Sequence, residues 1–282
     1  MSASIWVEEI SKATEAIIGT PFVWCFVPGG SVFLEDASNY ETNPGSKGGF
    51  YQVESFAIAK YPITNAQYQC FIDAPNGQSN PQWWTYSAEA SRWWQDRPRP
   101  KQTAFAGTNV SRTRVSWFDM MAFCAWLSSE LASRTGAKPP EMNEVDTWCV
   151  RLPIEPEWQR AAVGDTGWSY PWGNELDESR ANYGNHNGRP LDVGSFPQGQ
   201  SPYGVMDMVG NLWELCRTAW GQDSGDVHGY VYRAARGGAW NIANPAYLQA
   251  TDRAGFGPRG RLNDAGFRCA YYSHVKIPLK VT

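Results

Sequence analysis

The chain has 282 residues, enough for one large domain or two small ones. Its net charge of −4 gives no basic footprint for nucleic acid, and no apolar run is long enough for a membrane-spanning helix. Fifteen Trp among 27 Gly and 19 Pro argue against a helical bundle and for a loop-rich domain pinned by aromatic side chains. The first residues, Met1 to Glu9, lack the basic and apolar regions of a secretory signal, so a cytoplasmic location is expected. Residues 6–18 have helical apolar spacing and predict a leading helix. Phe22 to Pro28 reads as a buried strand turned by Gly29-Gly30, and Tyr51 to Ala59 as a second strand. Thr64 with Gln67 three residues later forms a capping box, starting a helix whose apolar face is Ala66, Cys70 and Phe71. Residues 76–114 are polar and carry two Trp pairs, Trp83-Trp84 and Trp93-Trp94, which predicts a long ordered loop. Helical spacing of Phe118, Met121, Ala122, Ala125 and Trp126 places a helix over 116–132. Residues 138–147 read as a loop insertion and Glu155 to Val163 as a short helix; beyond Gly164, short segments alternate with Gly, Pro and Asn. No repeat or linker divides the chain, so a single domain over 1–282 is expected. The six Cys are scattered without metal spacing and read as buried free thiols.

Several fixed phrases stand out in order. They include Val27-Pro28-Gly29-Gly30, Tyr61-Pro62-Ile63-Thr64-Asn65, Val115-Ser116-Trp117 and Arg151-Leu152-Pro153 with Glu155, Glu157 and Trp158. Tyr170-Pro171-Trp172-Gly173-Asn174, Gly204-Val205-Met206-Asp207-Met208-Val209-Gly210-Asn211-Leu212-Trp213-Glu214, Arg236-Gly237-Gly238-Ala239-Trp240 and Gly266-Phe267-Arg268 complete them. Over roughly 22–271 this series resembles the formylglycine-generating-enzyme, or sulfatase-modifying-factor, family. The resemblance implies an α+β, C-type-lectin-like fold with much irregular loop.

Family membership alone does not fix the activity. In the copper-dependent oxidases of the family, two Cys follow the Arg-Gly-Gly phrase, because copper(I) needs soft thiolates. Here those positions are Ile242 and Tyr247. The iron-dependent sulfoxide synthases use a His-rich motif; this chain has only His186, His228 and His274. Neither copper nor iron is expected. A third branch comprises the variable proteins of diversity-generating retroelements, in which a region framed like residues 239–268 is randomised at AAC codons. The resulting NNC codons cannot encode Met, Trp, Lys, Gln or Glu. None of these occurs at Asn241, Ile242, Ala243, Asn244, Ala246, Tyr247, Leu248, Ala254, Gly255, Phe256, Gly257, Gly260, Leu262, Asn263 or Asp264. Ordinary family members also favour Asn, Tyr and Gly in this stretch, so both readings stay open.

The expectation is therefore a non-catalytic binding protein that displays these residues to a ligand, a protein rather than nucleic acid or membrane. Ile242, Tyr247, Leu248 and Phe256 would be its exposed anchors. The alternatives are a family enzyme or enzyme accessory with unrecognised chemistry, and a recognition module of a signalling or defence assembly. The resemblance further implies a calcium loop, with side-chain oxygens from Asp207 and Glu214 and carbonyls from Gly210 and Leu212. A second, weaker calcium position would fall near Asn182-Tyr183 and Asn187. Glu155 and Glu157 stand at a helix start and are expected to be structural, as are Arg236, Arg253, Arg261 and Arg268. Trp172, Trp213 and Trp240 are expected to be core pillars.

Overall fold

A computed structural model describes residues 3–37, 47–136, 140–222 and 224–272. In chain order its strands are β1 (Trp24–Val27), β2 (Gly30–Leu34), β3 (Gly49–Val53), β4 (Phe56–Ala59), β5 (Val150–Arg151), β6 (Trp213–Ala219), β7 (Arg233–Arg236), β8 (Ala254–Phe256), β9 (Ala265–Gly266) and β10 (Ala270–Tyr271). The helices are α1 (Ala3–Ile18), α2 (Asn65–Asp73), α3 (Ala88–Asp96), α4 (Trp117–Thr135) and α5 (Glu155–Val163). One sheet has the order β1-β4-β10-β5, a second β8-β7-β6-β9, and β2 pairs with β3 in a separate ribbon.

The helix starts follow from local chemistry. The Thr64 hydroxyl accepts the Gln67 N–H and the Gln67 side chain accepts the Thr64 N–H, which satisfies two otherwise orphaned donors at the start of α2. Ser116 and Asp119 do the same for α4, whose C-terminus ends at Gly136 in the left-handed region (φ 71°). The expected strand over 51–59 is divided. β3 pairs with β2, β4 pairs with β1, and Glu54-Ser55 carries the chain from the ribbon to the sheet. The expected loop over 76–114 contains α3 and a 3-10 turn at Pro81–Trp84.

The core explains the Trp content. Trp84, Trp117, Trp148 and Trp158 are almost fully buried. Tyr68, Phe71, Phe123, Trp126 and Phe267 form one ring cluster with centroids 5.2–6.3 Å apart. Every residue of β6 is buried, including Glu214, Arg217 and Thr218. β6 pairs antiparallel with β7 and parallel with β9, so both flanks of the 237–264 segment are strands of one sheet. Among the described residues no helix is long and apolar enough to cross a membrane.

Candidate ligand-binding site

Three buried carboxylates hold the scaffold beneath the 239–268 segment. Glu155, fully buried, takes Arg236 Nη1 at 2.7 Å and Arg253 Nε and Nη2, each at 2.7 Å. Burial alone would raise its pKa, but Arg253 and Arg236 hold it below the usual carboxylate range. Glu157 receives both terminal nitrogens of Arg151 (2.9 and 2.8 Å) and the Tyr272 hydroxyl. Glu214 receives Arg268 Nε and Nη2 (2.6 and 2.5 Å) and the Trp158 indole N–H. Arg268 also donates to the carbonyls of Ala59, Lys60 and Met206. Arg236 donates to Gln159 and to the Ala250 carbonyl, and Arg253 to the Glu35 carbonyl. Arg261, half-buried, donates Nε and Nη2 to Asp119.

The segment leaves this scaffold at Gly237-Gly238, both with positive φ. A Cβ on Gly238 would lie 2.6 Å from Leu248 Cδ2 and 2.8 Å from the Tyr247 carbonyl oxygen, so only glycine lets the returning chain approach. Gly184 and Asn185 N–H groups then hold the carbonyls of Ile242 and Trp240 (2.8 and 2.7 Å). Asn244 caps a 3-10 turn over Pro245–Leu248 by accepting the Ala246 N–H. The turn sends Tyr247 outward (42% exposed) and Leu248 inward. Asn241, Ala243, Asn244, Ala246, Leu262 and Asn263 are exposed. Ile242, Ala254, Gly255, Phe256, Gly257, Gly260 and Asp264 are half-buried. The Asn241 amide donates to Asp264 at 3.2 Å, which ties the two halves of the segment together.

Two expectations about individual residues change. Leu248 is no exposed anchor: it is 0% exposed and packs with Tyr170, Ala181, Tyr183 and Val209, because at three residues per turn it points about 120° away from Tyr247. Trp240 and Trp172 are half-buried rather than core pillars; Trp240 meets Phe105 edge-on and Trp172 stacks on Tyr170. Trp213 is buried as expected. Two exposed aromatic residues beside the segment went unnoticed in the sequence, Tyr230 and Tyr232. The Arg259 guanidinium covers the Tyr230 ring at 4.6 Å. Their Tyr-Val-Tyr alternation leading into β7 was the available signal.

The two carboxylates named for calcium have protein partners in this structure. Both Glu214 oxygens are engaged by Arg268, so a cation there would have to displace a buried guanidinium. Asp207 is half-buried, accepts the Gly194 N–H at 2.8 Å, and is pushed up to about 6 chiefly by burial. Gly210 and Leu212 are buried. At the weaker position, the Asn187 amide donates to Asn182 and the Asn182 amide to Asn211.

Among the described residues no three His, Cys, Asp or Glu side chains converge as metal ligands. His186 and His228 are exposed, and His274 lies outside the described residues. All six Cys are free; Cys124, Cys216 and Cys269 are buried and the other three half-buried. Cys269 faces Cys124 across 3.9 Å, in the core rather than at the segment.

Residues 20–272 match the model of the sulfatase-modifying factor enzyme 1-like domain. The hercynine oxygenase of Mycobacterium tuberculosis is 30% identical over 253 residues, covering 78% of this chain and 53% of the oxygenase. The chain thus spans about half the length of that relative. The inactive C-alpha-formylglycine-generating enzyme 2 of Mus musculus is 29% identical over 262 residues, covering 77% of this chain and 75% of its own. Among solved structures, Treponema denticola variable protein 1 superposes with a TM-score of 0.62 at 21% identity, over 90% of this chain and 96% of the other. The shared architecture is an α+β, C-type-lectin-like fold of the formylglycine-generating-enzyme type.

Proposed function

The chain belongs to the family of sulfatase-modifying factor enzyme 1-like domains, and from that premise we propose that it is a non-catalytic binding protein presenting residues 241–264 to a protein ligand. One observation carries this reading. The two positions where the family's oxidases need thiols are Ile242 and Tyr247, half-buried and exposed, and the buried Glu155 and Glu214 beneath the segment are committed to arginines. Tyr247 and Leu262 supply exposed apolar surface, and Ile242 and Phe256 add half-buried edges. Aromatic and apolar side chains of this kind contribute most of the energy at protein interfaces. The likeness to a variable protein supports reading the segment as diversified. In that case a near-copy of codons 239–268, differing only at adenines, lies beside a reverse transcriptase gene.

The test of the non-catalytic claim is direct. Incubation with copper(I), oxygen and a Cys-x-Pro-x-Arg peptide is expected to leave the peptide thiol intact. An aldehyde product refutes the reading. A second reading, an oxygenase-type enzyme or accessory, is favoured by the 30% identity to hercynine oxygenase. Hercynine-dependent oxygen consumption by the purified chain would establish it in place of the first.

A further inference from the structure

A cleft of about 560 Å³ opens between α2 and residues 100–106, and none of residues 239–268 lines it. Its charged lining residues are Lys101 and Arg112, with no carboxylate among them. Arg112 is 4% exposed, and its guanidinium lies 4.7 Å from the centre of the Tyr68 ring. Its Nη2 donates to the Lys101 carbonyl, while its Nε is buried without a partner. Arg151, Arg236, Arg253 and Arg268 each face a carboxylate, and Arg233, the other fully buried arginine without an ion pair, spends its terminal nitrogens on the carbonyls of Arg217, Asp226 and His228. Asp119 acts on Arg112 through space, but it is already bonded by Arg261, Ser116 and Trp93. A buried cation without a counter-charge is costly, and an anionic ligand offsets that cost. The cleft wall is preformed. Asn65 Nδ2 donates to the Phe105 and Gly107 carbonyls, Thr113 accepts the Ala104 N–H, and Arg189 donates to the Ala106 carbonyl. Ile72, Pro100 and Ala104 supply apolar surface beside the charge.

We propose that this cleft binds a small organic acid, its carboxylate against the Arg112 guanidinium and its apolar body against Ile72, Pro100 and Ala104. One guanidinium without an ion pair suits a monoanion, and a charge-assisted hydrogen bond to it is stronger for a carboxylate than for a neutral oxygen. Benzoate is the probe, with benzyl alcohol as its uncharged counterpart and inorganic phosphate as a compact anion, titrated calorimetrically at neutral pH. Benzoate is expected to bind one to one, benzyl alcohol not to bind, and phosphate to bind more weakly than benzoate. Arg112→Gln should weaken benzoate by about tenfold or more. Ala104→Phe, which fills the cleft and leaves the arginine in place, should abolish binding; it keeps the test valid if Arg112→Gln does not fold. No benzoate binding at millimolar concentration, equal binding of benzyl alcohol, tighter binding of phosphate, or benzoate binding unchanged in Ala104→Phe each overturns the assignment.

Discussion

Glu155→Gln tests the foundation of the 239–268 segment. Glu155 is 0% exposed, and the side chains of its partners Arg236 and Arg253 are 0% and 1% exposed. The substitution keeps the volume but removes the charge, and it turns an amide N–H₂ toward guanidinium donors. Two arginine charges are then left without their shared counter-ion. Breaking one buried pair costs about 3–5 kcal/mol, which corresponds to a fall in Tm of about 10 °C for a protein of this size. The loss should also be local. Arg236 holds the Ala250 carbonyl, whose own N–H is held by Ser169, and Arg253 holds the Glu35 carbonyl. Amide exchange should therefore rise over residues 247–252 and stay unchanged in α2. Urea unfolding followed by tryptophan fluorescence, with exchange by mass spectrometry, reads both effects. A stability loss below about 1 kcal/mol with unchanged exchange over 247–252 would refute the view that this cluster anchors the segment. The pH sign follows from the same pairing. Because the folded-state pKa of Glu155 is depressed, its stabilisation is present above the ordinary carboxylate pKa and is lost as pH falls through the folded value.

Leu248→Ala should cost about 2–5 kcal/mol, since it opens a cavity among Tyr170, Tyr183 and Val209, whereas Tyr247→Ala next to it should change stability by no more than about 0.5 kcal/mol. Equal effects would remove the inward-outward division of the 3-10 turn. Asp207 has the opposite pH sign from Glu155. Its folded pKa is raised to about 6, so its contribution is fully present below the unfolded value and is lost as pH rises through about 6. Asp207→Asn should flatten that slope and gain about 1–2 kcal/mol at pH 7, measured by denaturation from pH 4 to 8; an unchanged slope refutes the assignment. Excess EGTA should leave the Tm unaltered, because the Glu214 oxygens serve Arg268. A large drop would restore calcium to the loop.

The legible parts of the sequence were those where local chemistry decides. Thr64 with Gln67 and Ser116 with Asp119 marked helix starts because their bonds span three residues. Helix α3 was obscured because its buried residues, Ala90 and Trp93, are few and Glu89, Ser91, Arg92, Gln95 and Asp96 around them are polar. The break at Glu54-Ser55 was hidden because Tyr51, Val53 and Phe56 are all buried although their strands join different partners. The fate of Glu214 depended on Arg268, 54 residues away, which no local pattern reports. Burial of Leu248 beside exposed Tyr247 turned on one capped 3-10 turn, set by Asn244 and Pro245. The acidic residues expected to be structural, Glu155 and Glu157, are both fully buried in ion pairs.

The bonds from Gly184 and Asn185 to the carbonyls of Ile242 and Trp240, and from Ala250 to Ser169, join main chain to main chain. Such bonds are indifferent to which side chains the intervening residues carry. Within the stretch from Asn241 to Tyr247, the side chains of Asn241 and Asn244 add their own bonds, to Asp264 and to the Ala246 N–H, while Ala243, Ala246 and Tyr247 face solvent. On the proposed function, a set of chains differing only at Ala243, Ala246 and Tyr247 would share one unfolding curve and differ in what adheres to them. Under the proposed binding function, change at those positions would alter recognition without passing through unstable intermediates.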